Sequence, residues 1–341
     1  MAAYSTHIQL LEAALKRCNV GRNEGVALLS SRIIDPHDLA PYEEACRRVS
    51  DNVISVRYYP NEITDAHVLS PLLRAALSQA DFVLHYRGWQ FPTPFAQITG
   101  HSLGMPEVVA ANTRWLDICL NEANQFRLFP SDEVVQETLR ARERYARAKE
   151  IRLTSAAGTD LVLRKDGRKA HRQLGIADRP GVWDNFGFAM IACAPLEESA
   201  NGVIYVPEGD ALLQMGRTVR EPMKLTVRDG KIISIEGGET ARAMSQWLER
   251  SGDPEAFGVS HIGWGLHPGA VWTGSPKFSP VDGESYRGSI LIAFGSNDMN
   301  MPAEYSGIGG KRHSKSHLDL PLLTHSFAID GTPTVIDGKL V

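Results

Sequence analysis

The chain has 341 residues, 43% hydrophobic and 22% charged, with a formal net charge of −4. That length holds one large or two ordinary domains with a full apolar core, so neither disulfides nor metals are needed merely to fold. No lysine–arginine block marks a nucleic-acid track, no run of about 18 apolar residues is present to cross a bilayer, and Cys18, Cys46, Cys119 and Cys193, far apart with no CxxC, fit reduced thiols of a cytoplasmic protein.

The N-terminal segment has the spacing of an amphipathic helix, with Leu10, Leu11, Ala14 and Leu15 on one face and no apolar leader core. Strand-like runs follow at 24–31, 52–60, 81–88 and 114–120. Helical spacing fills "PHDLAPYEEACRRVSD", 71–80 and 131–150, the last with Ser131 as a candidate N-cap. Such alternation predicts a parallel sheet covered by helices. After residue 150 the pattern turns to short strands, with hairpin turns at Asp229-Gly230, Asp330-Gly331 and Asp337-Gly338 and one clear helix at 239–252. The expected organisation is an α/β domain with a parallel sheet over 1–150, then a mostly antiparallel α+β domain over 151–341.

Three patterns bear on chemistry. "GHSLG" (100–104) has the form of a nucleophile elbow with Ser102, but prolines replace the strand that must precede it. "SGIGGKRHS" fails the glycine and Ser/Thr positions of a phosphate loop. The third is the histidine distribution. In "GGKRHSKSHLDLPL" (309–322), His317 and Asp319 are two apart in a strand-like run, so both side chains leave one face while Leu318 and Leu320 leave the other. With His261 from the glycine-rich "FGVSHIGWGLHPGAVW", two imidazoles and a carboxylate become a candidate set for one divalent metal with open positions. On the residues alone, a structural His–Asp hydrogen bond stays open beside that reading. Trp183, Trp264 and Phe188 are candidate walls for an aromatic ring.

The stretches 253–272 and 309–322 resemble the two signature stretches of the 2,5-dihydroxypyridine 5,6-dioxygenase family, which is related in fold to the M29 thermophilic aminopeptidases. The resemblance runs from about residue 20 to the end and is densest in the C-terminal third. It implies a mononuclear iron(II) enzyme that opens a hydroxylated pyridine ring with dioxygen, inserting both oxygen atoms. It places the Fe(II) ligands on His261, His317 and Asp319, an active-site histidine on His101, and substrate contacts around Gln173, Trp183, Asn185 and Trp264. It also implies a homo-oligomer. The family pattern has a histidine after Trp-Asp and a glutamate about a dozen residues earlier, where this chain has Asn185 and Gln173. Both keep hydrogen bonding but lose a group that titrates, which extends the expected substrate to related aromatic or heteroaromatic rings. The alternative is an M29-like metallo-aminopeptidase with two metals. Its extra carboxylates would fall near Val259 and Asp210, and the first position has none.

Overall fold

The computed structural model describes residues 2–58, 70–87, 105–272, 280–299, 301–303 and 306–341. Five parallel strands form the first sheet, in the order Asn52–Tyr58, Gly25–Ser31, Phe82–Tyr86, Arg114–Ile118 and Trp183–Asn185. Apolar runs such as "VALL" in the Gly25–Ser31 strand are buried on both faces, as parallel strands under helices must be. The N-terminal helix, Ala2–Arg17, lays Ile8, Leu11, Ala14 and Leu15 into the core of this sheet, while Leu10 packs only partly buried at its edge. The next helix, Pro36–Val49, starts where Asp35 accepts from His37 N and Pro36 presets the first turn.

The helix Asp132–Ala146 starts as the sequence predicts. Ser131 accepts from Val134 N, and Asp132 and Glu133 face the positive end of the helix dipole. Its other end is held by a buried lysine. Lys165 Nζ donates to the carbonyls of Tyr145 (3.0 Å) and Ala148 (3.4 Å), placing a cation where the last carbonyls are unpaired.

The remaining strands are antiparallel. An eight-stranded sheet runs from Lys231–Glu236 through Met223–Arg228, Asn201–Val206, Asp160–Arg164, Glu150–Thr154, Ser326–Ile329 and Thr332–Ile336 to Lys339–Leu340. At its hairpins Asp229, Asp330 and Asp337 take φ of 46°, 47° and 46°, each followed by a positive-φ glycine, as the two-residue turns require. A five-stranded sheet follows the order His317–Leu322, Ile290–Gly295, Val259–Gly265, Met190–Cys193, His171–Gln173. It lies between the two cores. Met190, Ala192 and Leu291 join the core of the parallel sheet, while Ile191, Cys193, Ile262 and Ile292 join that of the eight-stranded sheet.

Between His171–Gln173 and Met190–Cys193 the chain leaves this sheet, adds Trp183–Asn185 to the parallel sheet, and returns. Asp184 fixes the excursion by accepting from Leu174 N, Gly175 N and Asn185 N. This crossing brings the end of the parallel sheet against one face of the five-stranded sheet. No helix among the described residues is long and apolar enough to cross a membrane.

Candidate metal centre and the surface that faces it

His317 and Asp319 stand on one face of the His317–Leu322 strand, opposite Gly295 and Ala293. These small residues leave room beside the two side chains. Leu318, Leu320 and Leu322 leave the other face and join Phe294, Ile292 and Ile290 in the core. His261 reaches the same place through a β-bulge. Val259 pairs with Phe294 and Ile262 with Ile292, so Ser260 and His261 together oppose the single residue Ala293. The extra residue keeps Val259 and Ile262 in the core and turns His261 to the opposite face. Ser260 Oγ donates to Ser296 O (2.5 Å), and Asn297 Nδ2 donates to Ser260 O (3.1 Å), which holds the bulge. Tyr145 OH donates to Ile262 O, pinning the strand from the helix behind it.

The three ligand atoms form a nearly equilateral triangle. His261 Nε2 and His317 Nε2 are 3.3 Å apart, and Asp319 Oδ1 is 3.2 Å from the first and 3.3 Å from the second. His317 Nδ1 lies 3.0 Å from Ser296 O, which fixes its proton on Nδ1 and leaves Nε2 with a lone pair. Asp319 Oδ2 accepts from Gln214 Nε2 (2.5 Å), and Gln214 Oε1 accepts from Asp319 N (2.6 Å). Asp319 Oδ1, in contrast, is buried with no hydrogen bond among the described residues.

Electron-rich atoms are therefore brought together, in a site where all three residues are buried, and a cation is what such a set lacks. Burial disfavours charge on Asp319, but His317 and His261 outweigh it and hold the carboxyl well below the usual range. Burial pushes His261 down, with Asp319 opposing; for His317 the pull of Asp319 and the Ser296 carbonyl overcomes burial and the net shift is upward. Two neutral imidazoles and one carboxylate with edges of this length fit a first-row divalent ion bonded at about 2.1 Å.

Among the described residues this is the only group of its kind. Val259 is buried and apolar. Asp210 stays outside the group, accepting from Leu323 N at 3.2 Å. Among the described residues no fourth side chain joins the three in this compact group.

Register assigns a facing surface. On the parallel sheet, Trp115, Asp117 and Cys119 share a face with Val83, His85 and Arg87 and with Trp183 and Asn185. On the five-stranded sheet, His171 and Gln173 pair with Ala192 and Met190, the same face as Gly263 and His261. The two faces meet where Trp183 lies parallel to His171, ring centroids 6.3 Å apart. Trp183 Nε1 donates to Asp117 Oδ2 (2.8 Å), and Asn185 Oδ1 accepts from Cys119 Sγ (4.0 Å). Trp183 and Asn185 thus stand on the face of the parallel sheet that meets, at His171, the face of the five-stranded sheet carrying Gln173.

Trp264 stands on neither of these faces. It alternates with His261 and Gly263 onto the other face, packing edge-on to Tyr145 at 5.0 Å and against Phe327 at 5.2 Å. That corrects its expected place in the substrate wall. His267 is buried, its Nδ1 accepting from Gly269 N, and Arg312 is buried against Glu255 and Glu197 O. His101 and Ser102 lie outside the described residues.

Several residues were not legible as site members. Gln214 is 105 residues from Asp319, and Ser296 acts through its backbone. Glu284, half-buried in the short helix Pro280–Ser285, is felt by both Cys119 and Asp319, which places it between the two faces. Burial, with the negative charge of Asp319 added, pushes its carboxyl well above the usual range.

The family model described as NicX, 2,5-dihydroxypyridine 5,6-dioxygenase, matches residues 6–341. The 2,5-dihydroxypyridine 5,6-dioxygenase of Pseudomonas putida is 28% identical over 351 residues, covering 98% of this chain and 95% of the relative. The solved structure of the 2,5-dihydroxypyridine dioxygenase from Pseudomonas putida KT2440 superposes with a TM-score of 0.84 at 27% identity, covering 99% of this chain and 97% of that one. Wild-type AmpT from Thermus thermophilus shares the fold with a TM-score of 0.69 at 15% identity, covering 98% of each chain. The match over nearly the whole length makes this protein a member of the 2,5-dihydroxypyridine 5,6-dioxygenase family.

Proposed function

We propose that the protein is a mononuclear iron(II) dioxygenase that opens a 2,5-dihydroxypyridine-like ring and inserts both atoms of dioxygen. The observation that carries this reading is the buried triangle of His261, His317 and Asp319, with an orphaned carboxylate oxygen. Iron(II) held there supplies a shared binding point for the substrate oxygen and dioxygen.

The remaining roles belong to the chain. Ser296 and Gln214 orient His317 and Asp319, so the ligands are preset before substrate arrives. Trp183, held at its indole N–H by Asp117, offers a flat apolar wall for the ring. Gln173 and Asn185 orient ring substituents through hydrogen bonds. His101 carries the proton-transfer role that the resemblance implies. An imidazole suits accepting the substrate hydroxyl proton and returning it. The protein acts in the cytoplasm as a homo-oligomer, read from the resemblance and from four free cysteines; light scattering on the purified protein checks the assembly.

The test is oxygen uptake by anaerobically iron-loaded protein given 2,5-dihydroxypyridine. His317→Ala and Asp319→Ala are expected to lose both iron and uptake, and His101→Ala to keep iron while losing at least ~100-fold in kcat. Full iron and full uptake in either ligand variant contradicts the assignment.

A further inference from the structure

Arg87 stands one residue past the Phe82–Tyr86 strand. Its N–H donates to Ile118 O (2.9 Å), continuing the parallel ladder, so it sits beside Cys119 on the face that looks onto the metal centre. Among the described residues no carboxylate pairs with it; Cys119, Asp117 and Tyr58 act on it only through space. Asp117 is the one carboxylate among these three and is already occupied. It accepts from His85 Nδ1 (2.7 Å), Trp183 Nε1 (2.8 Å) and Trp115 Nε1 (3.1 Å).

Two further donors stand on the facing sheet faces. Asn185 uses its Oδ1 to accept from Cys119, which leaves its amide N–H groups to give. Gln173, 3% exposed and on the opposing face, has an Nε2 with no partner among the described residues. A buried donor without an acceptor costs about 1–3 kcal/mol in general, so the orphaned Gln173 amide, on a surface that also carries the Arg87 guanidinium, is matched to a ligand that brings acceptors.

We propose that Arg87, supported by Gln173 and Asn185, anchors a carboxylate carried on the ring of the substrate, while the metal centre takes the ring hydroxyl. The inference rests on the ring-cleavage reading and sharpens its substrate class to carboxylated hydroxypyridines. A guanidinium presents two parallel N–H groups that match both oxygens of a carboxylate, and its charge persists at any working pH. An uncharged ring engages only one acceptor there and leaves the remaining donors unmet.

Two measurements test it on the iron-loaded full chain. The first compares oxygen uptake with 2,5-dihydroxypyridine and with a dihydroxypyridine bearing one ring carboxylate. The native protein is expected to show at least ~10-fold higher kcat/KM for the carboxylated ring. Arg87→Gln is expected to lower that value about 100-fold, mainly through KM, and by at least tenfold more than it lowers the value for the plain ring. Arg87→Lys keeps the charge without the fork and falls between. The second is calorimetric binding, without oxygen, of a pyridine carboxylate that has no hydroxyl group. It is expected to bind native protein at least ~10-fold more tightly than Arg87→Gln protein of equal iron content and circular dichroism. Equal losses on both rings, a native preference for the plain ring, or equal binding by native and variant overturns the anchor. Absence of uptake with either ring, with binding still dependent on Arg87, overturns the ring-cleavage reading instead.

Discussion

Gln214 holds Asp319 twice, giving a hydrogen bond to Oδ2 and taking one from the backbone N–H. The carboxylate is thereby locked with Oδ1 aimed at the two imidazoles. Outer partners of this kind typically carry 10–100-fold in metal affinity. Gln214→Ala is therefore expected to weaken iron binding by about that factor while leaving the three ligands in place, and a competition titration with a metal-sensitive dye reads the change. Unchanged affinity contradicts the role. His317 is held as firmly by the Ser296 carbonyl, which also accepts from Ser260 Oγ at the bulge. One backbone oxygen thus couples the positions of two ligands from different strands.

At the scale of elements, the bulge at Ser260–His261 decides whether the triangle forms. Its brace is Asn297, which donates to Ser260 O and accepts from Arg312 N (2.7 Å). Asn297→Ala strips partners from two buried backbone groups, an expected loss of about 2–4 kcal/mol in unfolding free energy together with weaker iron binding; denaturant melts of metal-free and loaded protein check both. Glycine has a related task at Gly258, where a Cβ would come within 2.2 Å of the Arg312 guanidinium. The pair His317 and Asp319 was legible because a two-residue spacing needs only strand alternation. The bulge was not, since an extra residue in a ladder shows only against its partner strand, and Ile290–Gly295 carries no chemistry to mark it. Trp264 was misplaced for the same reason, as nothing local tells which side of a buried strand an indole will take.

Across the whole molecule, alternation of helices and strands was enough to read a parallel sheet followed by antiparallel ones. The three-residue strand Trp183–Asn185 was too short for any period, yet it carries the second half of the chain into the first sheet. Two buried carboxyls give the fold a pH signature. Burial raises Asp184 and Asp210 to about 7 each. In the unfolded chain an aspartate loses its proton near pH ~4. The folded state thus binds more protons between about pH 4 and 7, and each group's contribution, full below pH 4, declines by about 1.4 kcal/mol per pH unit up to pH 7. Asp210 Oδ2 has no partner among the described residues to offset a charge. Asp210→Asn is expected to flatten the decline of unfolding free energy between pH 5 and 7 relative to native protein; parallel slopes contradict it.

The most direct test of the central claim is the stoichiometry of metal, oxygen and ring in one reaction. Anaerobically loaded protein is expected to hold about one iron per chain, the number a single three-ligand group accommodates, and to consume one dioxygen for each dihydroxypyridine-type ring opened. Two metals per chain with release of amino acids from peptides, or full iron with no oxygen uptake on any plain or carboxylated hydroxypyridine, contradicts it.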